Sequence, residues 1–162
     1  MGNLIIPPVP GGVRQIDDFG LGAFGSSRIH DRVIVEHLGV DLLAEPGSEW
    51  VCPADCEFVR YGIAYPGISD YTLSVLRTNF CTFKIFYVST MPGMKSGDML
   101  ELGQPMGIAQ NIAARYNTYG SDGSPKKIML NHIHWEMIIH HAYDKSHRHF
   151  IDIHVDPMRF CE

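Results

Sequence analysis

The chain has 162 residues, 45% hydrophobic and 19% charged, a composition that describes one folded domain with a sizeable core rather than a disordered segment. Its formal net charge is -5, and basic residues are scattered, with only short pairs such as Lys126 and Lys127. That balance argues against nucleic acid or an anionic membrane as partner, and no apolar stretch reaches transmembrane length.

Residues 1–30 are rich in Gly and Pro and read as an irregular entry segment ahead of a single domain over residues 31–162. The opening MGNLIIPPVPGGVRQIDDFG has no basic stretch, and Pro7, Pro8 and Pro10 break its apolar run. It does not read as a signal peptide, so the expectation is a product made in the cytoplasm without an ordinary leader. Strand-like runs follow: DRVIVEHLGVDLLA, EWVC, CEFVRYGIAY, YTLSVLRT and CTFKIFYVST, with turn residues such as Pro46-Gly47-Ser48 and Pro66-Gly67 between them. GDMLELGQPMG at 97–107 has the glycine punctuation of a tight hairpin, and IAQNIAARY at 108–116 is the best helix candidate. TYGSDGSPKK is a loop, KIMLNHIHWEMIIH a long strand, HAYDKSHRH a polar loop and FIDIHVDP a last strand. Many strands, little helix and no repeat predict a mostly-β single domain, an antiparallel barrel or folded-over sheet.

Two fragments carry chemistry. HLGVD places His37 and Asp41 four residues apart, and NHIHWE places His132 and His134 two apart. Side chains at even spacing along a strand share a face, so each fragment can aim two ligand-type groups at one point. In the second strand Leu130, His132, His134 and Glu136 fall on one side; Met129, Ile133, Trp135, Met137 and Ile139 form a core pattern on the other. Three N or O ligands with one position left open is the arrangement of a catalytic zinc. The remaining His residues of the C-terminal third read as a polar rim or surface loop. Cys52, Cys56, Cys81 and Cys161 contain no CxxC pair, which disfavours a zinc ribbon. Cys52 and Cys56 can face each other across a tight turn, but spacing does not establish a bond, and free, inert thiols are the expectation.

The ordered set of these fragments resembles the lysostaphin/LytM-type zinc metallopeptidases, which cleave peptide cross-links of bacterial peptidoglycan. HLGVD fits the family's HxGxD element. LLAEPGSEWVCPAD resembles the continuation A-x-x-G-x-x-V-x-A-P, with Trp50 at the usual Val and Cys52 at the usual Ala. GDMLELGQPMG fits the G-D-x-V-x-x-G-Q-x-I-G element, NHIHWEM the HxH-x-Glu strand and HVDPMRF the terminal V-D-P. The resemblance implies that His37, Asp41 and His134 hold Zn2+, and that His132 lies beside the metal as general base or acid. It implies peptidoglycan peptide cross-links as substrate. With no leader, it further implies non-classical export to the periplasm or cell wall of a target cell, as an antibacterial effector with a cognate immunity protein or as a phage-type lysin.

The departures are specific. Where the family has a strand ending Y-x-H, with a second catalytic His, this chain reads Tyr87-Val88-Ser89. Ser89, Tyr87 or another His is left to replace that donor. Cys56 stands at a turn where the family usually has Gly. CTFKIFYV and VRQIDDFGLGAFGSSR are also similar to the chemotaxin-like branch of the family, which implies an alternative, a non-catalytic zinc-holding binding or signalling module. The cysteines of that branch's secreted members are missing at Ile16 and Leu21, which fits a reducing compartment.

Overall fold

The computed structural model describes residues 4–30, 32–142 and 150–161; of the polar loop expected over 141–149, residues 141 and 142 extend the strand that ends at Ala142 and the rest lies outside the described residues. Strands dominate. A hairpin of β1 (Ser27–His30) and β2 (Val33–Glu36) precedes β3 (Val40–Leu43), β4 (Glu49–Val51), β5 (Cys56–Tyr65), β6 (Ile68–Arg77) and β7 (Cys81–Phe86). Next come β8 (Val88–Thr90), β9 (Met99–Leu100), β10 (Pro105–Ala109) and the single-turn helix α1 (Ala113–Tyr116). The chain finishes with β11 (Thr118–Tyr119), β12 (Pro125–Lys127), β13 (His132–Ala142), β14 (Phe150–Val155) and a 3-10 turn at Pro157–Phe160.

A seven-stranded antiparallel sheet runs β14-β13-β7-β6-β5-β9, with β3 added against the first half of β13. A three-stranded sheet, β4-β10-β8, folds across it. Trp50 and Met106 from the small sheet and Phe58, Phe83, Ile85 and Trp135 from the large one close a shared core. The expected mostly-β single domain is what the chain forms. β13 explains why: Ile133, Trp135 and Met137 are fully buried on one side, as the alternation predicts, which turns His132, His134 and Glu136 to the other.

Several local expectations change: the entry segment ends in strand β1, the 118–127 loop closes as the β11–β12 hairpin, and three further stretches differ. The 97–107 stretch does make a turn, with Gly103 at φ 76° and the amide of Gln104 donating to the Glu101 carbonyl, but it is not a hairpin. β9 pairs with β5, while β10 pairs with β4 and β8, so the turn hands the chain from one sheet to the other. The helix candidate shrinks to one turn because Ile108 and Ala109 are claimed by β10. Beyond them the Gln110 side chain leaves the helix surface to accept from the Thr72 amide. The long strand starts at His132 rather than Lys127, since Met129 and Leu130 donate their amides to Asn117 and Asp17 side chains instead of to a neighbouring strand.

Candidate metal centre

Strand register builds the site. Asp41 of β3 stands directly opposite His134 of β13, and His132 lies two residues back on the same side. His37 enters from the end of β2, held at both backbone polar groups by the entry segment: its amide donates to the Ser26 carbonyl and its carbonyl accepts from Gly25. Between His37 and β3 the chain passes so close to β13 that a Cβ on Gly39 would sit 2.5 Å from the Trp135 carbonyl oxygen and 2.8 Å from His134 Cε1. Only glycine fits the middle of this HLGVD fragment.

Three ligand atoms converge. His37 Nε2 lies 2.9 Å from His134 Nδ1 and 3.1 Å from Asp41 Oδ1, and His134 Nδ1 lies 2.9 Å from the same oxygen. In a tetrahedral zinc site with bonds of about 2.0–2.1 Å, ligand atoms stand roughly 3.3 Å apart, so the cluster is close to that spacing. The outer contacts decide which atoms face inward. His37 Nδ1–H donates to the Ala23 carbonyl at 3.0 Å, and His134 Nε2–H donates to Glu136 Oε1 at 3.3 Å. A carbonyl and a carboxylate can only accept, which leaves His37 Nε2 and His134 Nδ1 with lone pairs aimed at each other and at a carboxylate. Such a set demands a positive charge between them. Without a metal a proton serves: burial pulls His134 down, but hydrogen bonds to Asp41 and Glu136 outweigh it and hold its pKa at about 9. A metal ion answers the same demand, and His, His and Asp with an open side suit zinc.

The far oxygen of Asp41 is also saturated. Arg14 Nη2 donates to Oδ2 at 2.8 Å and Arg28 Nη2 at 3.2 Å, and Arg14 is in turn paired with Asp17. Burial alone would lift the Asp41 carboxyl, but hydrogen bonds with His134 and His37 keep its pKa well below the ordinary value. Behind His134, Glu136 is ion-paired to Lys84 at 3.3 Å.

His132 is brought to the cluster without joining it. Its Nδ1–H donates to the Leu130 carbonyl at 2.8 Å, and its Nε2 stands 3.8 Å from Asp41 Oδ1. Burial is the main cause lowering its pKa, so near neutral pH the ring is uncharged with Nε2 free to accept a proton.

These groups line a cavity of about 480 Å3, walled by Tyr65, Tyr87, Tyr116 and Phe86 and by Ile29 and Val35 of the β1–β2 hairpin. Tyr87 interrupts what the sequence presents as one strand over 81–90: it takes φ 63°, a left-handed value uncommon for a bulky side chain. That kink separates β7 from β8 and puts the Tyr87 ring edge-on to His132, with centroids 5.8 Å apart. Its hydroxyl is 2.9 Å from that of Tyr65, which is 2.9 Å from that of Tyr116. Ser89 is exposed on β8 and does not line the cavity.

His37, Asp41, His134 and His132 were all readable from the sequence as candidates, and the fold brings the four together. Glu136 was visible as a residue of the same face and as the Glu of the HxH-x-Glu element, with no role assigned to it. Arg14 and Arg28 were missed, because the Gly- and Pro-rich entry segment has no periodicity from which to place them. His140, six residues along β13 from His134, pairs with Asp152 at 3.1 Å and Thr82 at 2.7 Å and takes no part in the cluster.

No protein-family model matches this sequence, and no curated protein does. Solved structures do. A zinc-containing peptidase from Vibrio cholerae matches at 15% identity and TM-score 0.58, covering 94% of this chain and 39% of that one. Csd3 from Helicobacter pylori matches at 20% identity and TM-score 0.59, over 99% of this chain and 35% of that one. The catalytic domain of the antimicrobial peptidase lysostaphin from Staphylococcus simulans matches at 19% identity and TM-score 0.51, covering 85% of this chain and 87% of the other. The chain thus spans well under half of the first two proteins and most of the lysostaphin catalytic domain. Its fold is that of the lysostaphin-type zinc peptidases. The similarity to the chemotaxin-like branch gains no support from these matches.

Proposed function

We propose that this chain is a zinc-dependent endopeptidase that hydrolyses peptide cross-links of bacterial peptidoglycan. The observation that carries the reading is the convergence of His37 Nε2, His134 Nδ1 and Asp41 Oδ1 at 2.9–3.1 Å in an open cavity, with the free Nε2 of His132 alongside. The fold shared with lysostaphin and the other zinc peptidases points to the same chemistry. Bound zinc polarises a scissile carbonyl and lowers the pKa of water toward neutrality.

The chain's own groups supply the rest. His132 Nε2 takes the proton of the attacking water and returns it to the leaving amine, with its other nitrogen fixed on the Leu130 carbonyl so that the accepting nitrogen always faces the cavity. Arg14 and Arg28 hold Asp41 in place from its far side, and Glu136 holds the ring of His134. At the position where the resemblance places a second histidine, Ser89 is exposed and outside the cavity, so it is not the replacement in this reading. Tyr87 is. Burial chiefly pushes its pKa up to about 12, so the phenol keeps its proton and can donate to the oxygen that becomes negative as the carbonyl is attacked.

The narrower reading places this activity on a neighbour's wall, as an exported effector with an immunity protein or as a phage-type lysin. Directing the protein to the periplasm of a test bacterium should then cause lysis that cytoplasmic expression does not. The primary test is digestion of purified sacculi by zinc-loaded protein, with and without chelator, reading products by mass spectrometry. Chelator-sensitive conversion of cross-linked dimers to monomers is expected, and His134→Ala should lose zinc and activity together. A protein that holds one zinc and releases nothing would overturn the peptidase reading.

A further inference from the structure

Outside the residues that line the metal cavity, two thiols are in direct contact. Cys52 Sγ and Cys56 Sγ are 3.2 Å apart, and both residues are buried, at 0% and 2% exposure. The other two cysteines have no such neighbour: Cys81 Sγ contacts the Thr78 hydroxyl at 3.3 Å and Cys161 Sγ the Pro157 carbonyl at 3.5 Å. From this geometry we infer that Cys52 and Cys56 are a disulfide site, closing a covalent link across Pro53-Ala54-Asp55.

The position in the fold gives the bond a task. Cys52 follows β4, a strand of the three-stranded sheet, and Cys56 opens β5 of the seven-stranded sheet. The link therefore staples the corner where the chain crosses from one sheet to the other. That corner is already well ordered: the Cys52 amide donates to the Gln104 carbonyl, Gly103 donates back to the Cys52 carbonyl, and Asp55 accepts from the Leu102 amide at 2.7 Å. A pair pre-aligned in this way needs its sulfurs to close by only about 1.2 Å to reach a bond length near 2.05 Å. The sequence agrees with the pairing. Both residues depart together from the small residues, Ala and Gly, that the resemblance places at these two points.

The two sulfurs are also chemically unequal. In the folded chain the contact with Cys56 lowers the Cys52 pKa, while the same contact and burial push Cys56 up. With a low-molecular-weight disulfide as oxidant, one of the two thiolates displaces one small thiol to give a mixed disulfide; the other, losing its proton to solvent, then displaces the second small thiol and closes the protein bond. Two protein thiols are oxidised and one small disulfide is reduced. Because both sulfurs are buried, the bond forms while the chain folds in an oxidising medium rather than by attack on the folded protein. Among the described residues the only cluster of three or more metal-ligating side chains is the one around Asp41, so this pair has no third ligand for a soft metal.

The test uses the full chain, refolded from denatured, reduced protein in a buffer of oxidised and reduced glutathione, then blocked with iodoacetamide. Tryptic cleavage after Arg32 and Arg60 puts both cysteines in one peptide. That peptide should be lighter by two hydrogens and resist alkylation until dithiothreitol is added, whereas Cys81 and Cys161 alkylate at once. The oxidised protein should melt roughly 5 °C higher than the reduced one. A Cys52→Ala/Cys56→Ala variant should lose that difference and keep one melting temperature in both buffers. Four alkylated cysteines after oxidative refolding, or a bond that uses Cys81 or Cys161, would overturn the assignment.

Discussion

Glu136 decides which nitrogen of His134 is free, since a carboxylate on Nε2 forces the proton there and leaves Nδ1 as the ligand. Replacing the carboxylate with an amide keeps the shape and removes the charge. Glu136→Gln should therefore weaken zinc binding by roughly 10–100-fold in competition with a chelator, with little change in melting temperature of the metal-free protein. Unchanged affinity would mean that the ring is oriented by packing alone. Tyr87 and Ser89 separate in the same way. If the phenol donates to the developing oxyanion, Tyr87→Phe should lower kcat by roughly 100-fold with zinc affinity and KM nearly unchanged, and Ser89→Ala should change neither. The reverse pattern would return the role to Ser89. Tyr65→Phe breaks both links of the hydroxyl chain without removing the Tyr87 donor, so its effect should be smaller.

At the scale of elements, the centre depends on how closely β3 approaches β13. Gly39 sets that approach, and its would-be Cβ meets the Trp135 carbonyl oxygen first and the ring of the ligand His134 next. Gly39→Ala should push β3 off its register, lowering the melting temperature by roughly 5–10 °C and abolishing stoichiometric zinc binding by direct metal analysis. Retention of zinc would show that the strand can shift without moving Asp41. The same elements show what sequence alone can deliver. β13 was legible because Ile133, Trp135 and Met137 alternate with His132, His134 and Glu136, and a period of two leaves one solution for which face is core. The run 108–116 was misleading because its Ala-rich composition favours a helix locally, while the pairing of Ile108 with Ser89 and Glu49 is non-local and wins. The 97–107 glycines were read correctly as special backbone positions. Their partners were not, since nothing in a turn says which sheet each arm will join. Tyr87 looked like mid-strand for the same reason: its left-handed angle is imposed by surroundings, not by residue type.

Across the whole molecule, the entry segment acts as a strap that ties the metal centre to the loop before β13. Arg14 is almost fully buried, at 1% exposure, between Asp41 and Asp17; Asp17 accepts from the Leu130 amide at 3.0 Å, and Asp18 from the Ile128 amide at 2.7 Å. One carboxylate thus connects the ligand-bearing strand β3 to the residues that deliver His132. Burial raises the pKa of Asp17, but the Arg14 hydrogen bond and the amides of Leu130 and Phe19 outweigh it and leave the value depressed. A depressed carboxylate contributes stability that is present above its unfolded pKa, near 4, and is lost as pH falls through the lower folded value. Asp17→Asn removes the charge and leaves Arg14 with one carboxylate instead of two. At pH 7 this should lower the melting temperature by roughly 10 °C, as breaking a buried pair does, and the gap to the parent protein should narrow as pH drops below about 4. Zinc affinity reports the strap's second action. With Arg14 freed from Asp17, Asp41 loses its fixed orientation, so affinity should fall even in protein that remains folded. A variant that melts earlier yet binds zinc as tightly as the parent would show that the strap stabilises the fold without tuning the site.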